Sequence, residues 1–164
     1  MPETLKGSCR CGALAFSLAS HTPVPYQLCY CSICRKQQGG GGYAINLAGL
    51  AGTLALEGEE SELGLYRAAI EEDGGCRIST GERRFCRRCG AGLWLYDPDW
   101  PELVHPFASA IDSPLPVPPH RVHLMLKDKA SWVVPAIGPQ DEAYDGYPRL
   151  SIAAWHRRHG LWAD

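Results

Sequence analysis

The chain has 164 residues, 45% of them hydrophobic, enough for one ordinary core and too few for two independent domains. A formal net charge of -2 excludes a generally basic surface for nucleic acid, and no apolar run approaches the roughly 18 residues of a membrane span. With 18 glycines and 13 prolines, no segment sustains a long amphipathic helix, so many short strands joined by turns are expected.

The first ten residues, MPETLKGSCR, carry no export-signal pattern, which predicts a cytoplasmic protein. Gly7-Ser8-Cys9-Arg10-Cys11-Gly12 then opens the fold, with Gly12 at a tight turn after the second cysteine. Ala13 to Leu18 reads as a strand with Leu14, Phe16 and Leu18 on one face. His21-Thr22-Pro23-Val24-Pro25 breaks it, and Tyr26-Gln27-Leu28 leads into Cys29-Tyr30-Cys31-Ser32-Ile33-Cys34-Arg35-Lys36. Four glycines, 39 to 42, follow closely and suit the mouth of a pocket, because they permit close backbone approach.

Strands are predicted over residues 43 to 47, 53 to 58 and 63 to 67, and again at 76 to 80 after the acidic turn Glu71-Glu72-Asp73-Gly74-Gly75. Phe85-Cys86-Arg87-Arg88-Cys89-Gly90 has the form of half a zinc ribbon. Strands over 91 to 96 and 103 to 108 come next, then a proline-rich turn and an alternating segment, 121 to 126, that contains His123. Ser151 to Gly160 predicts a short helix with a serine cap and a glycine stop, pinned by Trp155 and Trp162, while His156 and His159 read as surface or terminus-packing residues.

The eight cysteines are too closely spaced for a distributed disulfide scaffold. Soft thiolates favour zinc, which accepts tetrahedral sulfur sites. Cys9, Cys11, Cys86 and Cys89 make a complete four-sulfur, structural set, closing a loop of about 80 residues. Cys29, Cys31 and Cys34 make a three-sulfur set with a position open to water or substrate, and Cys76 is left over as a buried strand cysteine. Zinc with three thiolates can bind and deprotonate an incoming thiol, with Arg35, Lys36 and Tyr30 as candidates for holding carboxylates or orienting oxygen.

These motifs resemble the glutathione-dependent formaldehyde-activating enzyme family, which also embraces centromere-protein-V-like proteins. The matching pieces are Gly7 to Gly12, Cys29 to Lys36 with Gly39 following, and Phe85 to Gly90, within residues 5 to 96. The resemblance implies a mainly β, Mss4-like, tent-shaped fold of several small antiparallel sheets in one domain spanning 1 to 164, and it implies the same division of the cysteines between two zinc ions. It also implies a carbon-sulfur lyase that joins glutathione and formaldehyde into S-hydroxymethylglutathione. Many members have histidine where this chain has Tyr30. Two rival readings are a zinc-stabilised binding or adaptor module, and a dithiol oxidoreductase using Cys31 and Cys34 or Cys86 and Cys89. The second is the poorer because C-x-C neighbours suit chelation, and redox pairs usually open a helix after a strand.

Overall fold

The computed structural model describes residues 1 to 38 and 40 to 164; Gly39, a candidate site residue, lies outside the described residues. Alternation of apolar and polar residues builds the first sheet. Strand β1 (Glu3–Ser8) pairs antiparallel with β2 (Leu14–Ser20), and β2 with β6 (Ala55–Gly58). Leu14, Phe16 and Leu18 point inward, as period-two patterning requires, and each is buried.

A five-stranded antiparallel sheet takes the opposite side of this core, in the order β5 (Gly49–Leu50), β12 (Leu103–Pro106), β11 (Gly92–Tyr96), β10 (Glu82–Cys86) and β7 (Leu63–Tyr66). Leu93, Trp94 and Val104 meet Leu5, Leu14 and Phe16 in one cluster, and the Phe16 and Trp94 rings cross edge to face with centroids 5.1 Å apart. A register shift between Arg84 and Phe85 lets β10 bend as it reaches Cys86.

The third sheet has the order β14 (Glu142–Ala143), β13 (Val122–Leu124), β3 (Gln27–Cys29) and β4 (Ala44–Ile45). It departs from the antiparallel expectation, since β13 runs parallel to both β3 and β14. Residues distant in sequence are thereby placed beside Cys29. A hairpin of β8 (Ala69–Glu72) and β9 (Gly75–Ile78) stands apart, with little of it buried. Cys76 lies on this hairpin and is exposed, contrary to the expected buried strand position, because β9 has no second layer against it.

Two short α-helices, α1 (Ser32–Gln38) and α2 (Ile152–Arg158), and four single-turn 3-10 helices complete the described elements. Helix α2 follows the cap signal: Ser151 Oγ accepts from the Ala154 amide at 3.1 Å, and Gly160 takes a left-handed turn beyond its end. Trp155 stacks on Tyr26 and Trp162 on His21, which fixes the tail to the body. His156 is fully buried, the terminus-packing alternative of the two expected; its Nε2 accepts from the Val24 amide and its Nδ1 donates to the Ile152 carbonyl. Among the described residues, no helix is long and apolar enough to cross a membrane.

Candidate metal centres and an adjoining basic groove

Two hairpin turns meet to form the four-cysteine set. Cys9 and Cys11 lie in the turn from β1 to β2, Cys86 and Cys89 at the turn from β10 to β11. Gly12 and Gly90 follow the second cysteine of each pair with φ of 79° and 76°, a left-handed conformation that reverses the chain after its last sulfur. All four ligand atoms lie within 4.8 Å of one another. The Cys9 and Cys11 sulfurs are 3.6 Å apart and those of Cys11 and Cys86 3.8 Å. A tetrahedron with metal-sulfur bonds of about 2.3 Å has edges of about 3.8 Å, which these two separations match, so the donor set is of the kind and spacing that suits zinc. Cys9 and Cys86 are buried, Cys11 and Cys89 exposed.

Strand β3 delivers Cys29, the chain turns at Cys31, and α1 begins at once so that Cys34 falls in its first turn. The Cys34 amide donates to Cys31 Sγ at 3.3 Å, and the Arg35 amide to the Cys31 carbonyl at 3.0 Å. Cys31 therefore starts the helix much as a serine cap would. The three ligand atoms lie within 4.8 Å of one another, with Cys29 and Cys34 buried and Cys31 half-buried. Contacts with the Cys31 and Cys34 thiols push Cys29 far up, whereas contacts with Cys29 and Cys31, helped by Arg83, hold Cys34 well below the ordinary thiol range. Three thiols this close disfavour one another's ionisation, and a bound cation offsets that repulsion, as in a metal-ligating set.

Two polar side chains that sequence reasoning did not assign to the site reach Cys34. Arg83 Nη2 lies 3.8 Å and Asn46 Nδ2 3.9 Å from Cys34 Sγ. Arg83 comes from β10, 49 residues away in sequence. Its place in a run of arginines gave no sign of its partner.

Arg35 and Lys36 line an open groove of about 720 Å³ between α1 and the turn that holds Cys9. Arg10 lines it too and adds a third positive charge, against Asp112, which accepts from Ser8 Oγ at 2.6 Å. Gly40 also borders the groove, in keeping with a glycine run at a pocket mouth. The sulfurs of Cys29, Cys31 and Cys34 do not line it; Cys9 does.

Tyr30 departs from its expected place. Alternation along the chain turns it away from Cys29 into a separate cluster with Leu28, Ala130 and Val133, where it is 1% exposed. Its hydroxyl meets His123 instead of the groove. The C-x-x-C pair at Cys31 and Cys34 does open a helix after a strand, the placement expected of a redox pair. Cys29, however, shares the same ligand cluster, as chelation requires.

Fold and site together define a small β protein with two cysteine clusters suited to metal ions. The sequence matches the family model described as glutathione-dependent formaldehyde-activating enzyme over residues 4 to 128, and the chain belongs to that family. A Halomonas elongata protein bearing the name "Putative glutathione-dependent formaldehyde-activating enzyme" is 58% identical over 157 residues, covering 96% of this chain and 97% of its own. A crystal structure of a Rhodobacter sphaeroides protein superposes with a TM-score of 0.52 at 24% identity, covering 68% of this chain and 91% of the other, and shares the fold.

Proposed function

We propose that the protein is a cytoplasmic, zinc-dependent carbon-sulfur lyase-type enzyme that makes or breaks a small thiol adduct, with S-hydroxymethylglutathione as the product of glutathione and formaldehyde. The observation that carries this reading is the division of seven cysteines into a four-sulfur set and a three-sulfur set one ligand short, beside a basic groove. Family membership and the name of the Halomonas relative support the substrate pair. Both centres act within one domain, residues 1 to 164.

Cys9, Cys11, Cys86 and Cys89 would hold a structural zinc, and Cys29, Cys31 and Cys34 a second one. When bound there, zinc with three thiolates supplies a coordination position at which an external thiol gives up its proton. The residues of the chain then have separate tasks. Arg35 and Lys36, joined by Arg10, hold the carboxylates of the thiol substrate in the groove, which Gly40 borders. Tyr30, buried and bonded to His123, supports the strand that carries Cys29 rather than touching substrate. In the forward direction the thiolate sulfur forms a bond to the carbonyl carbon. The carbonyl π pair moves to oxygen, which takes a proton from solvent to give the hydroxymethyl adduct. The reverse step breaks the same bond.

The experiment is exchange spectroscopy by NMR on zinc-loaded protein with glutathione and isotope-labelled formaldehyde. Exchange faster than in buffer, lost on chelation and in Cys34→Ser, supports the proposal; buffer-like exchange removes it. The burial of Cys29 and Cys34, and their absence from the groove wall, favour a second reading, a metal-stabilised binding module. Four protein ligands at both metals by X-ray absorption would favour that reading.

A further inference from the structure

Among the described residues, the buried side-chain nitrogens and oxygens without a hydrogen-bond partner are Arg35 Nε, Asn46 Oδ1, Arg83 Nη1 and Trp155 Nε1. All except Trp155 belong to side chains next to Cys34 in sequence or in contact with its sulfur. Arg83 is the unusual one. It is 9% exposed, yet no carboxylate lies within ion-pair distance of it among the described residues. Its neighbour Glu82 is taken by Arg67 and Arg84. A guanidinium buried without an anion is costly, and the group that β10 brings it to is the Cys34 sulfur, which is a thiolate whenever it ligates a metal.

The two centres differ in how their charge is carried. A zinc with four thiolates has a formal charge of about -2 and one with three about -1. At the four-cysteine turns, half the sulfurs are exposed and the nearby Arg10, Arg87 and Arg88 are exposed as well, so water can balance the excess charge. At the three-cysteine centre, two sulfurs are buried and so is the balancing cation, Arg83. With Arg83 counted, metal and thiolates together are neutral. An incoming thiolate then brings the site to a charge of only about -1, where without Arg83 it would reach about -2.

We propose that Arg83, with Asn46 on the same sulfur, is a positioning residue that fits the three-cysteine centre for an anionic fourth ligand, a thiolate, over a neutral one. This rests on the reading that the centre holds a metal with an open position. It acts through Cys34 by N–H···S hydrogen bonds and charge, and needs no contact with the substrate's carbon.

The test uses the full chain loaded with cobalt(II), whose visible absorption reports the ligands. Mercaptoethanol is the thiolate probe and imidazole the neutral one. Wild-type protein is expected to bind both. Arg83→Met is expected to weaken mercaptoethanol binding about 10- to 100-fold with imidazole affinity unchanged, and Arg83→Lys to recover most of the loss. Should Arg83→Met fail to retain cobalt, Arg83→Gln keeps an N–H donor toward Cys34 and removes the charge, and the same loss is expected of it. Equal weakening of both probes, or unchanged mercaptoethanol binding, overturns the role of Arg83 and leaves the enzyme reading standing. Absence of any mercaptoethanol response in wild-type protein overturns the open-position reading, and this inference with it.

Discussion

The hydroxyl of Tyr30 lies 2.8 Å from Nδ1 of His123, and the other face of that imidazole meets Asp141, with Nε2 3.1 Å from Oδ2. The carboxylate accepts from Nε2–H, which leaves Nδ1 to accept from the tyrosine. Asp141 also accepts from the amides of Gly138 and Arg121. Three segments remote in sequence are thus tied together behind the strand that delivers Cys29. Tyr30→Phe leaves Nδ1 of a buried histidine unpaired and is expected to cost about 1 to 3 kcal/mol in urea unfolding, with metal content and turnover little changed. Lost turnover at unchanged stability would instead assign the hydroxyl to the chemistry.

Asp141 gives this chain a pH signature. Burial pushes its carboxyl up, but the amides of Gly138 and Arg121 together with His123 win and hold it at about 2, against an ordinary 3.8. A depressed carboxylate contributes stability above its unfolded pKa and loses it as pH falls through the folded value. The contribution is therefore complete at neutral pH and disappears between 3.8 and about 2. Asp141→Asn should lower stability at neutral pH and flatten that part of the acid-unfolding profile.

His156 acts in a higher window. Burial lowers its pKa below 6.5, and its Nε2 already accepts from the Val24 amide, so protonation in the folded state breaks a bond. The unfolded chain takes up the proton first as pH falls, so stability is full above 6.5 and declines below it toward the folded value. Urea midpoints measured from about pH 7 to about pH 5 should fall, and His156→Gln should reduce that slope while lowering the midpoint at neutral pH.

The two cysteine sets should separate by mutation. Cys86→Ser removes a fully buried ligand that joins turns 75 residues apart in sequence, and is expected to cost several kcal/mol of stability or abolish folding. Cys34→Ser should lose one metal equivalent and the thiol response while keeping the fold. Metal analysis beside circular dichroism reads both outcomes.

Charge reversal in the groove tests recognition apart from chemistry. Arg10→Glu lies on an exposed turn and is expected to raise KM for glutathione about tenfold with kcat kept, since a charged contact to carboxylate is lost and a repulsion gained. Mercaptoethanol, which has no carboxylate, should bind as it does to wild type.

Local chemistry made much of this readable in advance. Cysteine spacing separated the two clusters, period-two patterning gave β2, and Ser151 with Gly160 framed α2. Features that depend on distant partners were not readable. Helix α1 has seven residues and no apolar stripe; it forms because Cys31 caps it. The parallel pairing of β3 with β13 joins segments with no shared motif, so the His123 bond to Tyr30 could not be anticipated. Arg83 looked like one of four arginines near a zinc ribbon. Only its burial against Cys34 in the folded chain, where Arg87 and Arg88 are exposed, shows that it faces inward.

Each half of the four-cysteine centre sits on a hairpin whose strands are adjacent in sequence, β1 with β2 and β10 with β11. Such hairpins close within microseconds, long before segments this far apart need to meet. An ion held at this centre would therefore be captured by two preformed bidentate claws rather than by four thiols searching separately. Loop closure, the slow and entropically costly event in a chain of this topology, would then be an intramolecular docking of one loaded claw onto the other. Free zinc during synthesis would then set how fast this protein matures, as well as how stable it is once made.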